Sequence, residues 1–296
     1  MTVNPHRALR RIRRLDPVRD YHEIYRHLVL VDAPDTLEIG LNMAFYRTYA
    51  VPAIAELLLS TGELTERTRK RADDTGILIY EIVLHGFEHP RGRAAQSRMN
   101  RIHAMFDIAE DDFLYVLAAL VVVPIRFLDR FGWRRALPEE RVASAEFYRQ
   151  MGQRMALPRV PADYAGFESF LDRYEQEHFA YSDAAHQLML TTTEFMTARF
   201  PRWAAGPAAA LTYSLMDAPM RQALGAPTPS RAADVLVRAG FRTACYVTRW
   251  LRPNARNRFA HGVVEPTPTY PEGYEIAEVG PQPHAVHQEP ETSDQI

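Results

Sequence analysis

"RKRADDTGILIYEIVLHGFEHPRGRAAQSRMNRIHAMFDIAEDDFLYVLAALVVVPIRFLDRFGWR", residues 69–134, decides the fold. Its apolar residues recur every three or four positions, the period of a helix with one buried face. Arg71 and Thr75 stand one turn apart, and their face continues through Leu78, Ile79 and Ile82. Gly86 suits a helix C-cap, and Pro90 suits the first position of the next helix. Glu110, Asp111 and Asp112 open a third helix, where the dipole favours negative charge. Within it, "FLYVLAALVVVPI" is apolar for 13 residues, 113–125. That is too short to span a bilayer and reads as a buried helix, kinked or ended at Pro124.

The same period extends outward in both directions. Helical patterns cover 34–50, "VPAIAELLLS" at 51–60, 64–85, a stretch opened by Pro138, and then 163–180, 182–198, 207–223 and 229–249. No alternating run bounded by turn residues suggests a sheet, and no fixed-period repeat is present. The fold class is therefore all-α. A basic arm, residues 1–20, precedes one helical domain, 21–251. From 252 to 296 proline and polar residues dominate, which predicts an extended tail, partly draped over the body and disordered at its end.

Composition narrows the function. The chain has 296 residues, a formal net charge of −2 and 47% hydrophobic residues. The charge argues against a nucleic-acid binder built on bulk charge. Lys70 is the only lysine, an arginine bias that reads as composition and not as function. Cys245 is the single cysteine, so an internal disulfide and a cysteine-based metal site are excluded, and it reads as structural. The start "HRALRRIRRLDPVRDYHEIYRHL" lacks an apolar signal core. It reads as a solvated arm packing on the body, with contact to anionic lipid as the alternative. The expectation is a cytoplasmic protein without a transmembrane segment, peripheral membrane contact being left open.

The unusual residue is His103, which falls among Met99, Ile102 and Phe106 on the inward face of its helix. An isolated histidine on such a face is more often a hydrogen-bonded core residue than a ligand. The other histidines point to no metal site: His178 and His186 lie eight residues apart, His85 and His89 flank a turn, and His261 opens the tail. No phosphate-binding glycine loop, nucleophile elbow or zinc-protease signature occurs.

Taken together, Arg-x-x-x-Thr on one helix, a histidine 28 residues later in "MNRIH" and an acidic start to an apolar helix resemble one family. It is the catalytic domain shared by rubber oxygenases (latex clearing proteins) and the fungal MpaB oxygenase, the fungal branch more closely. The resemblance is strong over Arg69–Arg134 and looser from about Tyr21 to Met155. It implies a globin-related helical fold around haem b and cleavage of a carbon–carbon double bond in an isoprenoid or other apolar substrate with dioxygen. By position it implies His103 as the iron ligand, with Arg71 and Thr75 as the polar pair close to the haem. Met99, Ile102 and Phe106 would then pack on the ring. Arg71, Arg98 and Arg101 are candidates for the propionates, and the second nitrogen of His103 should find a carbonyl or carboxylate acceptor. Rubber oxygenases carry a lysine where this chain has Asp74, so Asp74 is expected to orient Arg71 or a water and not to close the iron. Those enzymes also invoke a carboxylate, for which Glu56 in "AIAELLL" is the candidate: burial would make it a base, although a surface position on that short helix is the more usual outcome. Two other classes stay open: a haem-binding sensor or carrier without oxygenase activity, and a haem-free helical lipid-binding protein.

Overall fold

Proline and small polar side chains punctuate the chain into helices. The structure, a computed structural model, describes residues 5–251 and 266–281; His261 and the remaining tail lie outside the described residues. Pro34, Pro52, Pro90 and Pro138 open α3 (Pro34–Tyr49), α4 (Pro52–Ser60), α7 (Pro90–His103) and α9 (Pro138–Arg154). There the missing N–H is one that no intrahelical partner would have met. Asp163 and Ser182 cap α10 (Tyr164–His178) and α11 (Asp183–Thr197) by accepting from Gly166 N at 2.8 Å and Ala185 N at 3.1 Å. The remaining helices are α1 (Pro5–Ile12), α2 (Tyr21–His27), α5 (Glu63–Glu66), α6 (Thr68–His85), α8 (Glu110–Phe131), α12 (Arg202–Leu215), α13 (Ala218–Leu224) and α14 (Arg231–Leu251). Among the described residues there is no strand. The protein is all-α.

Helix α8 forms the axis. Tyr115, Ala118, Val122 and Leu128 along it are fully buried, and α3, α9 and α10 pack around it. Pro124 does not end the helix, which runs on to Phe131. Gly40 of α3 makes this possible: a Cβ there would lie 2.7 Å from Pro124 Cα, so α3 crosses at the point where the proline sits. A second cluster joins α3 and α11 to α13 through Tyr46, Leu188, Met189 and Leu224. The arm is anchored by Ile12, which is buried against Ile24, Leu137 and Ala143.

Two expected helices are each divided. The 64–85 pattern breaks at Arg67 (φ −129°, ψ 36°) into α5 and α6. The 207–223 pattern breaks before Asp217, whose carboxylate accepts from Met220 N at 3.0 Å and starts α13. In both cases the apolar period continues across the break, so periodicity alone hides it.

Candidate functional site

The α6–α7 pair brings Arg71, Thr75 and His103 together. Gly86 ends α6 with φ +78°, a conformation suited to glycine, and its N–H bonds Ile82 O at 2.8 Å. The turn brings α7 back so tightly that a Cβ on Gly92 would meet Gly86 O at 1.9 Å. The two helices then lie side by side, with Leu78, Ile79 and Ile82 buried between them and α8.

His103 is the last residue of α7. Its Nδ1 is buried and has no hydrogen-bond partner, so the expected carbonyl or carboxylate acceptor is not found there among the described residues. Burial, and then the charge of Arg71, press its pKa from 6.5 down to about 4. The imidazole is therefore neutral near pH 7. Its ring meets the Phe113 ring edge-on at 5.2 Å. His27 Nδ1 is also buried and unpartnered, but its charged neighbours are Asp32, Glu140, Arg134 and Arg11, whereas His103 faces Arg71 alone. Among the described residues, other imidazoles are engaged in structure. His22 bonds Val83 O at 2.9 Å, His89 Nδ1 accepts from Arg91 N at 3.2 Å, and His186 bonds Leu224 O at 2.9 Å.

Arg71 donates to the Thr75 hydroxyl, and that hydroxyl donates to Arg71 O at 2.9 Å. Burial lowers the Arg71 pKa, while the fields of Tyr49, Asp74 and Glu63 oppose the shift. No carboxylate forms a salt bridge with Arg71 among the described residues. A half-buried guanidinium without a salt bridge and a half-buried, neutral imidazole whose Nδ1 is buried without a partner stand on adjoining helices. That donor set suits an iron-bearing apolar disc with acidic groups: the imidazole can ligate the metal and the guanidinium can offset the acids. The residues present fit haem b.

The other expected site residues are placed differently. Helix α7 ends at His103, so Phe106 lies in the following turn, its N–H bonding His103 O at 3.1 Å. Met99 and Ile102 are half-buried against the main core. Arg98 is taken up by the tail carbonyls Val279 O at 2.7 Å and Pro281 O at 2.9 Å, and Arg101 is exposed beside Ser97. Of the propionate candidates, only Arg71 remains in the site. Asp74 does not bond Arg71; it accepts from Lys70 Nζ at 2.7 Å and from the Tyr270 hydroxyl at 2.6 Å. Its carboxylate turns towards the tail because two strong donors stand there. Glu56 is exposed on α4, because the apolar residues around it turn Ile54 and Ala55 inward instead. The burial on which its role as a base depended is absent.

Sequence reasoning missed Tyr49, which is buried, accepts from Thr192 Oγ1 at 3.3 Å and feels the charge of Arg71. It also missed Tyr270 and Tyr274; the Tyr274 hydroxyl donates to Glu81. Two tyrosines in a stretch otherwise rich in proline and polar residues were the available signal.

Comparison with known proteins identifies the family and the fold. Residues 32–250 match the family described as "ER-bound oxygenase mpaB/B'/Rubber oxygenase, catalytic domain". The chain is 25% identical over 248 residues to the ER-bound oxygenase mpaB' of Penicillium brevicompactum, covering 78% of this chain and 59% of that protein. It is 30% identical over 143 residues to the ER-bound oxygenase mpaB of Penicillium roqueforti, covering 46% of this chain and 48% of that protein. The chain thus spans about half the length of the curated relatives it matches. The latex clearing protein LCP in its closed state has the same fold, with a TM-score of 0.51, 11% identity, and coverage of 89% of this chain and 74% of that one. No helix among the described residues is long and apolar enough to cross a membrane. With residues 32–250 matching its catalytic domain and the helices arranged as in the latex clearing protein, the chain belongs to the mpaB/B' and rubber oxygenase family.

Proposed function

We propose that the protein is a haem b-dependent oxygenase that uses dioxygen to cleave a C=C bond in an isoprenoid or another apolar molecule. The observation that carries this reading is the neutral imidazole of His103, its buried Nδ1 without a partner, beside the guanidinium of Arg71, which has no salt bridge among the described residues. Haem b would supply the oxygen-activating redox chemistry. His103 would hold the iron, the neutral ring being the form that binds metal. Arg71 would balance the acidic edge of the cofactor, and Thr75 fixes the guanidinium from the same helix face. Met99 and Ile102, packed on the main core, would extend the apolar wall beside His103, whose ring meets Phe113. Asp74, held by Lys70 and Tyr270, would supply no nitrogen ligand to the iron.

The test is an absorption spectrum of the purified protein with haem extraction, followed by oxygen consumption against a panel of isoprenoids. A Soret band, its loss or weakening in His103→Ala with helicity retained, and oxygen-dependent product are expected. An unchanged Soret band in His103→Ala would overturn the assignment of the ligand. A resting low-spin spectrum with two strong nitrogen ligands would overturn the reading that His103 alone among these residues holds the iron.

A further inference from the structure

Helix α14 is docked on the body with its ion pair inwards and its apolar stripe outwards. Phe241 anchors it to α8, its ring edge-on to Phe127 at 5.6 Å and to Phe131 at 5.5 Å. Towards that side Arg238 Nε donates to Asp234 at 2.8 Å, and the two side chains are only 17% and 28% exposed. Asp234 Oδ1 and Arg238 Nη1 are themselves buried. The opposite side lies open. Val235 is 67% exposed and Leu236 74%, and Ala232, Ala239, Tyr246 and Val247 are exposed with them. At 3.6 residues per turn these six positions share one stripe. A helix that faced only water would carry its charges outside and this stripe inside.

Charge decides what covers the stripe. Arg231 and Arg242 are exposed, and the helical period sets both along one edge of it. Asp234, the acid of α14, is turned to the inner side. Residues 198–247 carry six arginines and two acids, in a chain whose formal net charge is −2. The second of those acids, Asp217, is taken by Arg47 at 2.5 Å. A second copy laid on this stripe would bring the same arginines and no α14 carboxylate to meet them. An anionic bilayer meets both demands, with apolar chains for the stripe and negative headgroups for its edge. No helix among the described residues is long and apolar enough to cross a membrane, so α14 would lie in the plane of the interface.

We propose that α14 docks the protein on an anionic lipid surface. Val235, Leu236 and Tyr246 enter the boundary between headgroups and acyl chains, and Arg231 and Arg242 sit at headgroup level. The surface uses neither His103 nor Arg71 and does not depend on haem.

Co-sedimentation of the full chain with sucrose-loaded vesicles tests this. Vesicles of phosphatidylcholine mixed with phosphatidylserine should bind at least tenfold better than phosphatidylcholine alone, and added salt should weaken binding. Val235→Glu/Leu236→Glu should weaken it at least tenfold. Arg231→Gln/Arg242→Gln should weaken it at least threefold and flatten its salt dependence. All four side chains are exposed, so circular dichroism and melting temperature should match the unaltered protein. On vesicles, hydrogen exchange should slow across residues 231–247. Absence of binding to the mixed vesicles would overturn the proposal. Full binding by Val235→Glu/Leu236→Glu would also overturn it and assign the contact to the basic arm. A dimer in vesicle-free sedimentation velocity that the same variant dissociates would give the stripe to a second copy instead.

Discussion

His103 shows how much one side chain can indicate. Its folded pKa of about 4 lies below the ordinary 6.5, so as pH falls the unfolded chain takes up the proton first. Stability is lost between those two values and is unaffected above them. In protein free of bound groups, His103→Leu should remove this acid sensitivity. Measured by urea denaturation, the variant should gain on the order of 1–2 kcal/mol relative to wild type on going from pH 7.5 to pH 5. His22, His27 and His85, also lowered by burial, are common to both proteins and cancel. A gain independent of pH would mean that His103 titrates in the fold with the same pKa as in the unfolded chain. Arg71→Ala and Thr75→Ala should keep haem and helicity but lose turnover, read by product formation at matched haem content. Unfolding of both variants would make the pair structural. The residue scale also corrects two expectations. Glu56 is exposed because its neighbours, not itself, face the core, and Asp74 is claimed not only by Lys70 one turn away but by the distant Tyr270, which a local reading cannot see.

At the scale of elements, the site depends on how closely α7 returns along α6. Any Cβ on Gly92 would press into the backbone of Gly86, which has no rotamer to yield. Gly92→Ala should therefore destabilise the protein by about 1–3 kcal/mol and reduce haem retention, measured by thermal melting and Soret absorbance. Across the same pair lies the strap of residues 266–281. Val279 is fully buried in the core, Thr269 Oγ1 donates to Asp73 at 2.6 Å, and Tyr270 and Tyr274 bond Asp74 and Glu81. Tyr270→Phe removes a hydrogen bond to a buried carboxylate and should cost about 1–2 kcal/mol, since Lys70 remains as a partner. Faster hydrogen exchange in the strap and in the first turns of α6 would accompany the loss; unchanged exchange would show the contact to be incidental.

Across the whole molecule, buried charge networks tie distant helices together. Arg47 of α3 donates to Glu175 of α10, with Nε to Oε1 at 2.7 Å, and to Asp217 before α13 at 2.5 Å. The Tyr115 hydroxyl on α8 joins the same group, 3.3 Å from Glu175. Removing the cation would leave Glu175 buried and uncompensated, so Arg47→Met should cost about 3–5 kcal/mol by chemical denaturation. A change within experimental error would mean that the carboxylates find water. The apolar period made the helices legible, and proline, glycine and capping side chains gave most of their ends, because these effects act within a few residues. The same locality exposed His103, Arg71 and Thr75, whose spacing on two helices is written in the chain. The turning of Asp74 towards Tyr270 and the pairing of Arg47 were not legible. Each is decided by a partner far along the chain. The sequence by itself determined the all-α class and the family, and its resemblance pointed to the pair of helices that carries the proposed site. Only the tertiary structure decided which polar groups there are left without partners, because a hydrogen bond or counter-charge is satisfied in space and not along the chain.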